Sequence, residues 1–262
     1  MDSTTGKPAP SPAQALTGGA PIAHPLYKEV KNRITRSLIA GEWKPGAAIP
    51  SETRLAAKFK VSVGTIRRAI DELVAEKIVV RQQGRGTFVT MHTEDRQFYY
   101  FFHLVGKDGG KEPPTHELVS FATLKADADT ASRLGLKSGD RIHRIHNVLK
   151  LNGRPVIFDE VRIAATRFTN LNAAAFRSRE GTIYGLYQAR YGLNVVRISE
   201  RRSAAAAPPS IARVLGVKSE SPLLVIARIA YTYHDEPVEL RTSWVNTTDH
   251  EYSSDLWKSE PR

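Results

Sequence analysis

Two short amphipathic segments follow each other in this chain with only Lys60 and Val61 between them. Ser51 is a good N-cap for the first segment and Ser62 for the second, and apolar residues recur at helical spacing in both. A connection this short leaves room only for a tight turn. The spacing is typical of a helix-turn-helix unit, whose second helix lies in the major groove of DNA. Another amphipathic segment, over residues 25–41, predicts a helix before the pair.

The sequence VVRQQGRGTFV, residues 79–89, comes directly after these helices and predicts a β-hairpin. Gly84 and Gly86 permit unusual backbone angles at its tip, and Arg85 stands between them. In a wing beside a helix-turn-helix, such a tip brings Arg85 to a narrow minor groove or to a phosphate. A lone G-x-G also occurs in nucleotide-binding loops, but no Walker lysine follows and no βαβ unit surrounds this one.

The second helix of the pair is polarised along its length. Its early exposed positions are Gly64, Thr65, Arg67 and Arg68, and its later charged ones are Asp71, Glu72 and Glu76. This order opposes the helix dipole at a cost of about 0.3–1 kcal/mol per charge. We expect the N-terminal half to meet DNA and the acidic half to point away. The alternative is an ordinary solvated helix face.

Charge is concentrated in this part of the chain. Residues 24–91 hold 13 Lys and Arg against 6 Asp and Glu, whereas the whole 262-residue chain has a net charge of +11. That distribution is typical of a small nucleic-acid-binding domain joined to a larger, more neutral one. The chain has no cysteine, which excludes disulfides and thiolate metal sites.

Composition also predicts the remaining boundaries. We expect residues 1–23, rich in Pro, Ala, Gly and Ser, to be a disordered tail, and residues 92–97 to be a linker. The winged helix-turn-helix would then occupy 24–91 and a larger domain 98–258. No apolar run approaches the ~20 residues that span a bilayer. We expect a cytoplasmic protein without a membrane partner.

The larger domain contains an internal repeat. Leu134-Gly135 corresponds to Leu215-Gly216 at an offset of 81 residues, and Pro155 corresponds to Pro237 at an offset of 82. Each unit is interpreted as a short helix, a strand, a tight turn and a strand, with Asn152-Gly153 and Asp235-Glu236 at the turns. Two related hairpins predict a pseudo-symmetric antiparallel sheet with helices against it, and a crevice between them is a natural ligand site.

Two other patterns have competing interpretations. The aromatic stretch FYYFFHLV from residue 98 predicts a central buried strand, although a base-stacking platform has a similar composition. His143 and His146 suggest a metal site, but residues three apart on a strand point to opposite faces. We find no zinc motif and no Ser/His/Asp spacing, and we expect no metal and no cofactor.

The first domain resembles the winged-helix domain of the GntR superfamily of bacterial transcription regulators over residues 25–89. The resemblance is carried by PSE, VS-x-x-T-x-R-x-A-x-x-x-L and GRGTFV. It implies DNA contacts from residues early in the first helix of the pair, from the start of the second, which is the recognition helix, and from the wing. These residues are Thr53, Arg54, Ser62, Gly64, Thr65, Arg67, Gln83, Gly84 and Arg85. Thr53 and Val63 stand where relatives often have arginine, which removes guanine readout there, and Arg54 or Arg68 would compensate.

The second domain resembles the UTRA effector domain of the HutC subfamily, whose fold is related to chorismate lyase. The motifs are LGLKSGD, NGRPVIFDE, T-I-Y, LGVKSESPLLVIARIAY and EPVEL. The resemblance implies effector contacts from an acid after the first hairpin's Pro, from a Ser/Thr-x-Tyr pair and from a late glutamate. These positions hold Asp159 or Glu160, Thr182 and Tyr184, and Glu239.

Two alternate arginines of relatives are replaced here by Asn147 and Leu149. A phosphate or strongly anionic effector is therefore not expected unless Arg144 or Arg241 takes their place.

We therefore expect an α+β chain made of a winged helix-turn-helix and an antiparallel-sheet UTRA domain. As a homodimer it would bind a pseudo-palindromic double-stranded DNA operator, most simply as a repressor, under control of a small-molecule metabolite effector. One rival is a chorismate-lyase-like enzyme domain fused to a DNA-binding module, because a fold does not fix a function. Another is a basic nucleoid-type protein whose DNA binding has a steep salt dependence and no sequence preference.

Overall fold

The computed structural model describes residues 25–91 and 102–253. The first part is a three-helix domain closed by a hairpin, as predicted. Its elements are α1 (Leu26–Ile39), α2 (Glu52–Phe59), α3 (Val63–Ala75), β1 (Val79–Gln82) and β2 (Gly86–Val89). The Ser51 side chain accepts from the Arg54 N–H, and that of Ser62 from the Thr65 N–H, which confirms both predicted caps. Lys60 ends α2 in the left-handed conformation and turns the chain into α3.

The core of this domain forms where the apolar stripes of the three helices meet. Ile34 of α1, Leu55 of α2, and Ile66 and Leu73 of α3 have no exposed surface. Val79 and Val89 of the hairpin close the same cluster. The outer side of α3 and the hairpin tip are left facing solvent.

The second part is built on one six-stranded antiparallel sheet with short helices. Its strands and helices are β3 (Leu104–Gly106), β4 (Thr115–Lys125), α4 (Ala128–Leu134), β5 (Arg141–Leu151), β6 (Arg154–Ala164), α5 (Ala173–Arg177), α6 (Ile183–Tyr191), β7 (Arg197–Ala206), α7 (Pro209–Leu215), β8 (Pro222–Tyr231), β9 (Pro237–Val245) and β10 (His250–Tyr252). A 3-10 turn, Tyr233–Asp235, connects β8 to β9.

The predicted pseudo-symmetry is present in the sheet. The strand order is β4-β5-β6-β9-β8-β7, so the two repeats meet where β6 pairs antiparallel with β9. Each repeat consists of a strand, a helix and two further strands. The first strands are β4 and β7, which precede the two helices matched by the internal repeat of the sequence. Gly135 and Gly216 end these helices with φ near +66° and +67°, a conformation that favours glycine.

Helices cover both faces of the sheet. On one face, α7 packs on Val148 and Phe158, and α4 packs on Ile142 and Leu240. On the other face, α5 and α6 bury a cluster that includes Val161. Thr182 caps the start of α6, since its side chain accepts from the Gly185 N–H.

Two sequence predictions need correction. The second hairpin turns at His234 and Asp235, which both have positive φ, and not at Asp235-Glu236. The described end of the aromatic stretch is not a central strand either. Leu104–Gly106 pairs with β10 in a separate two-stranded sheet. The first hairpin turns at Asn152-Gly153 as predicted, with φ of 47° and 74°.

The proposed tail over 1–23, the proposed linker over 92–97 and the first four residues of the aromatic stretch lie outside the described residues. Within the described ranges, no helix combines the length and the apolar character that a membrane span requires.

The two domains touch at the turn of the second hairpin. Tyr233, which is buried, packs against the hydrophobic cluster of the three-helix domain, together with Val196. Its hydroxyl also accepts from the Asn194 amide at 3.0 Å. The β8–β9 hairpin is therefore in direct contact with the core beneath α3.

Candidate functional site

The candidate DNA face comprises the exposed residues of α2, the N-terminal half of α3 and the hairpin tip. All ten residues predicted to contact DNA lie on these elements, and all but the half-buried Thr65 are exposed. They are Thr53, Arg54, Ser62, Gly64, Thr65, Arg67, Arg68, Gln83, Gly84 and Arg85.

Glu52 joins the three elements of the DNA face. Its carboxylate accepts from Arg67 Nε of α3 at 2.9 Å and from Arg81 Nη2 of β1 at 3.2 Å. Exposed ion pairs contribute at most about 1 kcal/mol each. Glu52 therefore orients Arg67, whose side chain stays 62% exposed and accessible to a phosphate.

The acidic half of α3 has specific partners. Asp71 pairs with Arg81 of the hairpin, and Glu72 and Glu76 pair with Lys31 of α1. These ion pairs offset the unfavourable position of the acids on the helix dipole. Asp71 therefore faces the hairpin, whereas Glu72 and Glu76 face α1. On the α1 side Arg68 stacks on the Tyr27 ring, 4.2 Å from its centroid.

The hairpin tip has the geometry that its glycines predict. The Arg85 N–H donates to the Gln82 carbonyl at 3.0 Å, closing a turn in which Gly84 has φ +71°. That φ at the third turn position favours glycine. Arg85 is exposed, and among the described residues no carboxylate lies within 4 Å of it. The Arg85 guanidinium lies over the Phe88 ring, 5.7 Å from its centroid, and an exposed cation on a short turn suits a groove or phosphate contact.

The second candidate site is a cavity of about 380 Å³ on the sheet face that also carries α6. Its floor is formed by strand residues such as Asp159, Arg241 and Ser243. Its walls come from residues 102–104, 113–116 and 179–183. The volume matches a small metabolite.

Polar side chains form a row across three neighbouring strands of the sheet, and two of them, Asp159 and Ser243, lie in the cavity floor. Asn147 of β5 is opposite Asp159 of β6, which is opposite Ser243 of β9. All three are buried, and the Ser243 hydroxyl donates to Asp159. Burial raises the pKa of the Asp159 carboxyl, and the nearby Arg241 guanidinium opposes that shift. A hydrogen-bonding row inside an apolar sheet is suited to a hydroxylated ligand.

Arg241 is held by two carboxylates. Glu239 accepts from its Nε at 2.9 Å and its Nη2 at 3.0 Å, and Asp159 lies 3.4 Å from its Nη1. Tyr187 and Tyr184 donate to Glu239 at 2.6 and 3.3 Å. Burial raises the pKa of Tyr184 to about 12, so its hydroxyl remains a donor.

The structure separates the predicted effector residues into three groups. Asp159, Thr182 and Arg241 line the cavity. Asn147, Tyr184 and Glu239 lie fully buried behind its wall and contact residues that line it.

Arg144 and Glu160 are not brought to the cavity, because they occupy the opposite face of the sheet. Glu160 there pairs with His146 and Arg162, which lower its pKa.

Sequence reasoning missed Arg179 and Arg228, which also line the cavity. Arg228 pairs with Glu200, whose pKa falls to about 2 because nearby cations outweigh its burial. Side chains alternate between the two faces along β8, so Arg228 lies on the same face as Ile226. This alternation could have predicted Arg228 as a cavity residue. Arg179 lies between α5 and α6 in a segment without periodicity, so no local pattern marks it.

The histidine prediction is confirmed in its geometry. His143 contacts Thr123 and the Phe168 carbonyl, whereas His146 contacts Glu160 on the other face. No group of three or more metal-ligating side chains is present in the two described ranges.

A winged helix-turn-helix with an open basic face, joined to a domain with a polar cavity, defines a DNA-binding protein equipped to bind a small molecule. Comparison with known families agrees. Residues 26–89 match the model described as "Bacterial regulatory proteins, gntR family", and residues 109–251 match the "UTRA domain". The chain belongs to the GntR family of transcriptional regulators that carry a UTRA domain.

Two curated relatives are named transcriptional repressors, and this chain aligns with most of the length of each. The mannosyl-D-glycerate transport/metabolism system repressor MngR of Escherichia coli K12 is 26% identical over 233 residues, covering 87% of this chain and 95% of the relative. The repressor NagR of Bacillus subtilis is 27% identical over 209 residues, covering 79% and 84%.

Solved structures share the fold. The ligand-binding domain of a GntR-family regulator from Bordetella bronchiseptica is 30% identical with a TM-score of 0.55, covering 58% of this chain and 94% of that one. The regulator YydK from Bacillus subtilis has a TM-score of 0.53 at 19% identity, covering 86% and 97%.

Proposed function

We propose that this regulator is a cytoplasmic, dimeric repressor of the HutC subfamily whose DNA binding is controlled by a small molecule in the cavity. The observation that carries the proposal is the contact of Tyr233 with the winged-helix core. The hairpin that ends in this turn also carries Arg241 and Ser243 into the cavity floor. MngR and NagR are named repressors, which supports the direction of control.

Two winged helices of a dimer would bind the half-sites of a pseudo-palindromic operator. In helix-turn-helix dimers the half-sites lie about 34 Å apart, one helical turn of DNA, or a multiple of that distance. The start of α3 would enter the major groove, Thr53 and Arg54 would contact the backbone beside it, and the hairpin tip would reach the adjacent groove.

An effector controls such a dimer only by preferring one of its arrangements. We propose that the bound effector favours a spacing of the winged helices that no longer fits the operator. Allosteric coupling of about 1–3 kcal/mol changes affinity roughly 5–150-fold. The reciprocal effect is that operator DNA weakens effector binding by the same factor.

The direct test is a mobility-shift titration of the purified protein on the DNA upstream of its own coding sequence, with excess unrelated DNA at a stated salt concentration. We expect a discrete shifted band that survives the competitor, with release on addition of one fraction of a metabolite pool. A smear that the competitor abolishes, with no response to metabolites, would contradict a sequence-specific regulator.

Arg85→Ala is expected to weaken operator binding by about 1–3 kcal/mol, because one good groove contact has that value. The measurement is operator affinity by fluorescence anisotropy at moderate salt. Arg36→Ala is the matched control, since it removes an exposed arginine from α1 of the same domain. Equal affinity of the Arg85 variant and the unaltered protein would remove the hairpin tip from the DNA interface.

A further inference from the structure

Among the described residues, Val63 is the one large apolar side chain that is exposed on the DNA face. It is the first residue of α3 and is 37% exposed, whereas Ile66 and Ile70 on the inner side of the same helix are buried. Side chains of a helix lean towards its N-terminus, so the two methyl groups of Val63 project beyond the start of α3. Packing in the domain core therefore does not account for a valine at this position.

The other side chains of this first turn are engaged in capping the helix. The Ser62 hydroxyl accepts from the Thr65 N–H at 3.1 Å and shares a hydrogen bond with the Thr65 hydroxyl at 2.8 Å. Gly64 between them has no side chain. Val63 is therefore the side chain of this turn that is available to meet a base edge.

The two arginines of α3 are held by partners on other helices. Arg67 Nε donates to Glu52 of α2 at 2.9 Å, and the Arg68 guanidinium stacks on Tyr27 of α1, 4.2 Å from the ring centroid. Both arginines follow Val63 by about one helical turn. Their positions suit contacts with the phosphates that flank a groove. The start of α3 is thus left with an apolar group, which cannot pair with the acceptors of a guanine.

We propose that Val63 recognises a thymine of the operator by contact with the C5-methyl group of the base. In the major groove thymine is the base that presents a methyl group, and apolar side chains contact it there. Valine is suited to this contact because its χ1 angle has one strongly preferred value in a helix, so little side-chain entropy is lost on binding. The proposal rests on the operator binding proposed above and specifies one T·A pair in each half-site.

The first experiment removes single methyl groups from the DNA. The full chain selects its site from a random pool of double-stranded DNA, and each thymine of the enriched sequence is then replaced, one at a time, by deoxyuridine, which lacks only the C5-methyl group. We expect one position in each half-site at which the replacement lowers affinity about fourfold, because burying one such group contributes about 0.8 kcal/mol. At thymines that lie away from Val63 we expect little change.

Val63→Ala removes the two methyl groups from the protein side of the contact. The variant should bind the unmodified site more weakly, and deoxyuridine at the sensitive position should then change its affinity by less than about twofold, since the two deletions remove the same interaction. A valine with a purely structural role would weaken binding to both DNAs equally and leave the fourfold effect in place. Val80→Ala is the matched control, because Val80 is an exposed valine of β1 outside the DNA face, and this variant should keep the fourfold effect.

Val63→Arg exchanges the apolar group for a bidentate donor. We expect selection with this variant to enrich guanine at the position where the unaltered protein enriches the sensitive thymine, because arginine pairs with the O6 and N7 atoms of guanine. The other positions of the site should keep their preferences, since the rest of the DNA face is unchanged.

The outcomes separate this proposal from the preceding one. If the pool yields no enriched sequence, both the sequence-specific repressor and the Val63 contact are refuted. If a sequence is enriched but no thymine is sensitive to the loss of its methyl group, the repressor proposal stands and the Val63 contact is refuted. The same holds if the sensitive thymine stays equally sensitive in Val63→Ala.

Discussion

Gly64→Asp is expected to lower operator affinity roughly 100-fold while leaving the fold as stable as before. Gly64 is the second residue of α3, has no positive φ, and a Cβ added there would meet only Ser62 Oγ, at 3.8 Å. An acid in the first helical turn favours the folded state through the helix dipole. On the DNA face the same carboxylate would meet phosphates. Like charges brought together at an interface cost several kcal/mol, and about 3 kcal/mol corresponds to the 100-fold loss.

Two controls distinguish a negative charge at the DNA face from the added Cβ and from the change in net charge. Gly64→Ala adds the Cβ without the charge and should bind DNA nearly as well as the unaltered protein. Ala75→Asp adds the same charge at the exposed C-terminal end of the same helix and should weaken binding far less. Operator affinities at fixed salt and thermal unfolding of all three variants provide the comparison. If Gly64→Asp and Ala75→Asp reduced affinity equally, net charge would explain the loss and α3 would not be shown to enter the groove.

Glu239→Ala is expected to lower the free energy of unfolding of the larger domain by about 3–5 kcal/mol. Glu239 has no exposed surface, and it receives hydrogen bonds from Arg241, Tyr184 and Tyr187. Removing Glu239 would leave the buried Arg241 guanidinium with only Asp159, 3.4 Å away, and the loss of a close partner from a buried ion pair accounts for a change of this size. Here the two tyrosine hydroxyls would also lose their acceptor.

Glu160→Ala is the matched control for this second prediction. Glu160 lies in the same sheet and also pairs with an arginine, but its partner Arg162 is partly exposed, so its loss should be about 1 kcal/mol or less. Denaturant unfolding followed by intrinsic fluorescence measures both variants. A Glu239 variant as stable as the Glu160 variant would show that the buried network is not a structural support for Arg241.

The sequence was sufficient to predict the first domain almost completely. Ser51 and Ser62 mark the starts of their helices because their side chains cap them. The two-residue connection at Lys60 and Val61 fits only a helix-turn-helix unit. These signals are local, since each cap or turn is decided by residues within one helical turn. The repeat predicted the pseudo-symmetric sheet for a different reason, because duplicated residues around Gly135 and Gly216 require the same backbone twice.

The cavity was predicted only in part, because its residues meet through the strand register. Asp159 and Glu160 are neighbours in sequence, yet they lie on opposite faces of β6, and a one-residue ambiguity exchanges those faces. Arg144, named as a possible substitute for the missing arginines, lies on the face of β5 away from the cavity. Arg179 has no periodic context, and its place on the cavity wall becomes evident only when Asn147 and Phe176 are placed beside it.

Because Tyr233 packs on the winged-helix core, the β8–β9 hairpin connects that core to the cavity floor. From Pro237 to Arg241 the strand spans roughly 13 Å at about 3.3 Å per residue. A tilt of about 8° at the ligand end would displace the turn end of the strand by about 1.8 Å, comparable to the shifts that repack protein interfaces. The sister hairpin, turning at Asn152, points to the opposite end of the sheet. Of the two duplicated hairpins only this one contacts the winged helix, so we expect a ligand that displaces Arg241 to act on the DNA-binding domain through Tyr233.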